Sequence, residues 1–214
     1  MTVNNPLNEI FSNGSAVRIL RQLAETMTPV TGRECARRSN LSHRTAIENL
    51  NGLESTGVVN RIFGGRDHLF SLNRENLFVK DVLIPVFEQE RKLKRTLFKL
   101  IAEHYKDIAT SILLFGSVAR GEDTPESDLD ICIIVPDEST KQKIEKRTVR
   151  VLLEVKQKFG VTLSKILLTE KEFRNGIDNQ IELYQNIVNE SKLLFGASIK
   201  EIMHGKAPTG KESK

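Results

Sequence analysis

Cysteine is nearly absent from this sequence: Cys35 and Cys132 are the only two in 214 residues. With one in each half, neither a disulfide framework nor a cysteine-based zinc cluster is on offer. Long apolar runs are missing too. No stretch reaches the roughly 20 residues a bilayer-crossing helix needs. The opening segment MTVNNPLNEIF lacks the basic, apolar and small-residue order of a secretory signal. The expectation is a cytoplasmic protein with no membrane partner. An excess of one charge is also lacking: 32 Lys/Arg against 28 Asp/Glu gives net +4, at most a mild hint toward nucleic acid. The 39% hydrophobic and 28% charged content is ordinary for a globular chain, and the length suits two small domains.

The most informative stretch is SILLFGSVARGEDTPESDLDICIIV, residues 111–135. Ile112 to Phe115 has the length and composition of a buried strand. It stops at Gly116-Ser117, and after a polar spacer a second strand carries Asp128 and Asp130. Side chains alternate along a strand, so these two carboxylates are expected on one face, continued by Cys132 and Ile134. Leu129, Ile131, Ile133 and Val135 form the other. Two acids at the mouth of an apolar strand repel each other unless a cation intervenes, and hard oxygen ligands suit Mg²⁺ bridging to phosphates. Gly116 lets the backbone approach a bulky anion, and Ser117 offers a hydroxyl and an N–H.

A Gly-Ser after a strand, a ten-residue spacer and then Asp-x-Asp resembles the signature of the nucleotidyltransferase (DNA polymerase β-like) superfamily. The similarity is strongest to the minimal and the antibiotic nucleotidyltransferases, in which GSxARG and SDxD recur. It covers roughly the C-terminal half. The resemblance implies that Gly116, Ser117, Arg120 and Ser127 bind a nucleotide, ATP or another NTP. Asp128 and Asp130 would hold Mg²⁺ and serve as the catalytic carboxylates if chemistry is retained. One departure stands out. The family places a third carboxylate on the following strand, but here that strand, residues 161–168, reads Val-Thr-Leu-Ser-Lys-Ile-Leu-Leu. Thr162 and Ser164 stand where an acid would be sought, and neither is a general base at neutral pH. Glu170 and Glu172 come just after, on the next helix.

In the N-terminal half, Ser15 is read as the cap of a helix with an apolar stripe of Ala16, Ile19, Leu20 and Leu23. Thr31 opens a second helix, with Glu34 completing a capping box. Ser42 caps a third, with Ala46, Ile47, Leu50 and Leu53 inward and Gly57 at its end. Residues 58–63 and 68–72 read as a hairpin about Gly64-Gly65-Arg66-Asp67. Helix, helix, turn, helix and hairpin is the order of a winged helix-turn-helix, and this segment resembles the core of MarR- and ArsR-type regulators. Arg33, Arg37 and Arg38 fall on the second helix, His43 and Arg44 at the start of the third, and Arg61 and Arg66 on the hairpin. In this motif the third helix enters the major groove N-terminus first. The candidate DNA contacts are therefore Arg33, Arg37, Arg38, His43, Arg44 and Arg66, with duplex DNA as partner and a homodimer as the expected assembly. Residues 1–75 carry nine Lys/Arg against seven Asp/Glu, a small excess for a duplex-binding domain. A protein–protein or dimerisation role for the winged helix stays open.

Residues 76–109 read as a helical linker interrupted at Pro85, with Val86, Leu93, Leu97 and Leu100 on a seam. Residues 139–159 form an amphipathic helix, Thr169 and Glu172 another capping box, and residues 180–191 a further helix. The organisation expected is α+β: a winged helix-turn-helix at 1–75, the linker at 76–109, a nucleotidyltransferase-like mixed sheet with flanking helices at 110–205, and a disordered tail at 206–214. Two functions compete. One is a DNA-binding, nucleotide-responsive transcriptional regulator. The other is an active Mg²⁺-dependent transferase moving a nucleotidyl group from an NTP to a hydroxyl.

Overall fold

The computed structural model describes residues 4–65 and 67–204, so Arg66 and the tail expected at 206–214 lie outside the described residues. The chain divides into two compact units between Lys92 and Leu93.

The first unit opens with α1 (Pro6–Phe11), a short helix that sequence periodicity did not reveal because only Ile10 is buried. In α2 (Gly14–Glu25) Ala16, Ile19, Leu20 and Leu23 are buried, as their spacing requires. Its cap is Asn13 rather than Ser15: the Asn13 side chain accepts from the N–H groups of Ser15 and Ala16. β1 (Val30–Thr31), α3 (Gly32–Arg38) and α4 (His43–Ser55) follow. Thr31 does cap α3, but the Glu34 side chain turns to Arg37 and Arg38 instead of back to the cap, so the expected box is only half made. Ser42 caps α4, and past its end Gly57, at φ +73°, donates its N–H to Glu54 O at 2.9 Å. β2 (Val59–Gly64) and β3 (Asp67–Leu72) form the hairpin. β1 adds to its far side, giving sheet order β1-β3-β2. Two residues are too few for a period-2 signal, which is why β1 was not legible in the sequence. Helix, short strand, two helices and a two-stranded wing make this unit a winged helix-turn-helix.

A π-helical segment (Val79–Leu83) runs without a break into α5 (Ile84–Tyr105), so Pro85 lies inside a continuous helical stretch, just after its wider turn. The stretch read as a linker is thus helical over Val79–Tyr105, and the division between the units falls inside α5. Near the start of α5, Phe87 belongs to the first core and Glu90 pairs with Arg21 at 2.6 Å. Further along, Leu97, Ile101 and Tyr105 belong to the second.

The second unit is a four-stranded mixed sheet, order β6-β5-β4-β7. β4 (Ser111–Phe115) runs antiparallel to β5 (Leu129–Val135) and to the edge strand β7 (Lys192–Gly196); β5 runs parallel to β6 (Leu163–Thr169). Between β4 and β5 lies α6 (Gly116–Arg120), and between β5 and β6 lies α7 (Glu138–Phe159), capped by Asp137. α8 (Glu170–Asp178), α9 (Glu182–Glu190) and α10 (Ile199–Met203) complete the unit. The alternation read from β5 sorts its residues into two cores. Leu129, Ile131, Ile133 and Val135 pack with α5 and α7, while Cys132 and Ile134 pack with Phe173, Ile187 and Ile202 of α8 to α10. Thr169 and Glu172 make the full reciprocal capping box expected at the start of α8.

Candidate functional site

β4 ends where the site begins. Phe115 is paired with Asp130 across the antiparallel ladder, so the next residue, Gly116, comes up against the Asp130 side chain. Gly116 is at φ +73°, and a Cβ built on it would overlap the Asp130 carboxylate. Both the backbone conformation and the close approach demand glycine here. The Gly-Ser and Asp-x-Asp motifs are thus one physical unit: the carboxylate of the second occupies the space that the first leaves by lacking a side chain.

Asp130 is half-buried, while Asp128 stands exposed one residue before β5 begins. The strand start is fixed by the Leu129 N–H, which donates to Thr162 O at 2.8 Å. Among the described residues no cation pairs with either aspartate. Behind Asp130 on the same face, Cys132 is fully enclosed and burial pushes its thiol up to about 12, so this wall is apolar and supplies no nucleophile. Ser117 is half-buried in the first turn of α6. Asp128 and Asp130, two hard carboxylate donors, are the residues that would hold a divalent cation such as Mg²⁺, which would supply charge neutralisation beside a phosphate. No cluster of three His, Cys, Asp or Glu is poised for a metal among the described residues.

Two other residues expected to meet a nucleotide are engaged elsewhere. The Ser127 hydroxyl accepts the Thr124 N–H at 2.9 Å, closing the loop before Asp128. Arg120 donates to Glu122 at 2.7 Å and to Glu190, at the end of α9, at 2.5 Å; these carboxylates raise its pKa. Nothing in the local sequence announces the Glu190 contact, which spans 70 residues of chain.

The register of β6 separates the two candidates for the third-acid position. Ser164 is the parallel partner of Asp130 and shares its face of the sheet, whereas Thr162 precedes the strand and takes a hydrogen bond from Lys156. Glu170 and Glu172 lie beyond the opposite end of β6, where Thr169 pairs with Val135. Five residues at about 3.3 Å each put that end roughly 16 Å from the Ser164 level. Both acids are also occupied: Glu170 with Thr110 and Arg174, Glu172 with Lys141 and the Thr169 N–H.

In the winged helix, α3 and α4 meet across a tight turn in which Asn40 adopts φ +51°. His43 and Arg44 project from the exposed first turn of α4, and Arg33, Arg37 and Arg38 are exposed on α3. Most of these cations are already answered. Arg37 and Arg38 share Glu34 at 2.6 Å each, holding that carboxylate down to about 2, and Arg44 pairs with Glu48 at 2.9 Å. Arg61, on the wing, turns inward to Glu54 at 2.7 Å and over the Phe70 ring at 5.2 Å. It ties the wing to α4.

By architecture, then, a winged helix-turn-helix precedes a mixed-sheet domain in which Gly-Ser and Asp-x-Asp converge. The nucleotidyltransferase-domain family model matches residues 94–194. Two proteins of Methanocaldococcus jannaschii, named by assignment as protein adenylyltransferases, are similar to this region. One is 32% identical over 106 residues, covering 50% of this chain and 98% of the relative. The other is 34% identical over 98 residues, covering 41% and 94%. This chain belongs to the nucleotidyltransferase family. Among solved structures, the homodimeric winged helix-turn-helix DNA-binding domain of a Mycobacterium bovis protein is 24% identical, covering 40% of this chain and 77% of that one with a TM-score of 0.33. No described helix is long and apolar enough to cross a membrane.

Proposed function

We propose that this protein binds duplex DNA through its winged helix and binds Mg²⁺ with ATP or another NTP at its nucleotidyltransferase domain, so that nucleotide occupancy tunes regulation of transcription. Gly116 and Ser117 receive the phosphates, and Asp128 and Asp130 hold the cation. Mg²⁺, when bound, supplies charge neutralisation on the triphosphate. The observation that carries this reading is the level of the sheet at which Asp130 sits. On one side its carboxylate fills the space beside a glycine that has no side chain, and on the other it meets Ser164, which is no base. This supports binding over deprotonation of an acceptor hydroxyl, for which Ser164 supplies no base. Titration calorimetry tests it. ATP binding should require Mg²⁺, and Asp128→Asn with Asp130→Asn should abolish it while thermal unfolding persists near the same temperature. Unchanged binding in the double variant would sink the reading.

A second reading is nucleotidyl transfer to a hydroxyl, favoured by the protein adenylyltransferase assignments of the two relatives. Label from ATP appearing on a lysate protein, and lost with Asp130→Asn, would establish it. On the DNA side, we assign base-edge contacts to His43 and Arg44 at the first turn of α4 and backbone contacts to Arg33, Arg37 and Arg38. Winged helices read half-sites as twofold dimers, so sedimentation should find a homodimer on a palindromic duplex.

A further inference from the structure

The net charge of the chain resides on one helix. α7 holds seven basic residues, Lys141, Lys143, Lys146, Arg147, Arg150, Lys156 and Lys158, against three acids, Glu138, Glu145 and Glu154. That excess of four equals the excess of the whole protein, so the rest of the chain is balanced. The inner residues of α7, Ile144, Thr148, Val151 and Val155, are packed in the core. Its outer face is not purely polar. Val149 and Leu153 are 62% and 64% exposed. Four residues apart, they form one ridge along the helix. Lys143, Lys146 and Arg150 flank them, exposed and without partners among the described residues. Glu154, which lines the same side, is already matched by His104 at 2.8 Å and Lys158 at 2.7 Å. Val149, Leu153 and their neighbours line a shallow groove along this face.

We propose that this face of α7 docks an acidic amphipathic helix of a partner protein, with apolar side chains against Val149 and Leu153 and Asp or Glu against Lys146 and Arg150. The charge pattern selects an anionic partner, and the apolar ridge selects among anionic partners. A nucleic acid would answer the cations but set sugar-phosphate over two aliphatic side chains, and this face has no aromatic to stack a base. An acidic amphipathic helix satisfies both parts, as helix-in-groove recognition does elsewhere. So small a ridge suits a transient interface. The proposal is independent of nucleotide and DNA binding, because none of the residues used lies in either site.

The test uses the full chain and a fluorescein-labelled stapled helical peptide with leucines at i and i+4 flanked by glutamates. Two controls accompany it: one of equal composition with its leucines dispersed around the helix, and one with lysine in place of glutamate. Anisotropy should show the first peptide binding and the controls not. Leu153→Asp should weaken binding by about tenfold or more. Lys146→Glu with Arg150→Glu should transfer preference to the lysine peptide. All these residues are exposed, and Val149→Ser with Leu153→Ser reads the same contact if the aspartate variant fails to fold. Equal binding of the dispersed control, or affinity indifferent to both apolar variants, would overturn the proposal. So would finding that Leu153→Asp instead abolishes binding to a duplex oligonucleotide, to anionic phospholipid vesicles or to a second copy of the chain.

Discussion

The two units treat their functional charges in opposite ways. In the winged helix most of the arginines are answered from within: Glu34 serves Arg37 and Arg38, Glu48 serves Arg44, and Glu54 serves the inward-turned Arg61. In the nucleotidyltransferase domain the Asp-x-Asp carboxylates are left unanswered, for no described cation pairs with Asp128 or Asp130. The first arrangement is self-contained: under the proposed DNA-binding reading, a duplex would have to displace carboxylates to reach these arginines. The second leaves two like charges, two residues apart in the chain, without a counter-charge among the described residues. The net charge of +4 therefore does not measure the cations open to a partner: the arginines of α3 and α4 are present but mostly committed.

The largest expected effect would break the contrast at its anionic end. Ser164→Asp adds a third carboxylate at the level of Asp130 on the same face. It should raise nucleotidyl transfer to a hydroxyl acceptor by on the order of 10²–10⁴-fold, the usual worth of a placed general base. Labelled ATP measures it, and no gain in that variant would mean that the missing acid is not what limits the site. Next, Arg44→Ala should weaken duplex binding by about 1–3 kcal/mol if Arg44 reads a base edge. A mobility-shift titration at fixed salt decides this, and an unchanged shift would move DNA recognition away from α4.

Glu48→Gln sharpens the comparison from the other side. Freed of its partner, Arg44 should bind DNA more tightly by about 0.2–0.5 kcal/mol, the worth of an exposed helical ion pair. Weaker binding would mean that Glu48 orients Arg44 rather than competing for it. The smallest effect concerns acid stability. Arg37 and Arg38 hold the Glu34 carboxyl at about 2, below its ordinary 4.5. Its folded pKa is depressed, so its contribution is fully present above about pH 4.5 and lost as pH falls toward 2. Thermal unfolding followed from pH 6 to pH 3 should decline less steeply in Glu34→Gln than in the parent. Equal slopes would show that this exposed cluster adds nothing measurable.

Local chemistry was legible without the structure. The amphipathic stripes of α2 and α4, the caps at Thr31 and Ser42, the Thr169–Glu172 box and the two-faced alternation of β5 all depend on residues within a turn or two of one another. The capping of α2 was misplaced by two residues because Asn13 and Ser15 are equally good cap types in sequence, and only backbone geometry chooses. The sequence alone determined the kind of site: a glycine-serine turn beside paired aspartates, on a chain with a winged helix before it. Tertiary structure decided the rest, for strand register and helix docking are pairings between distant residues. Register put Ser164 rather than Thr162 beside Asp130 and carried Glu170 and Glu172 to the far end of β6. It also pressed Asp130 against Gly116, and the docking of α9 gave Arg120 to Glu190. A one-residue slip would reverse every face of a strand. Which side chains share a site is therefore settled only when the sheet closes.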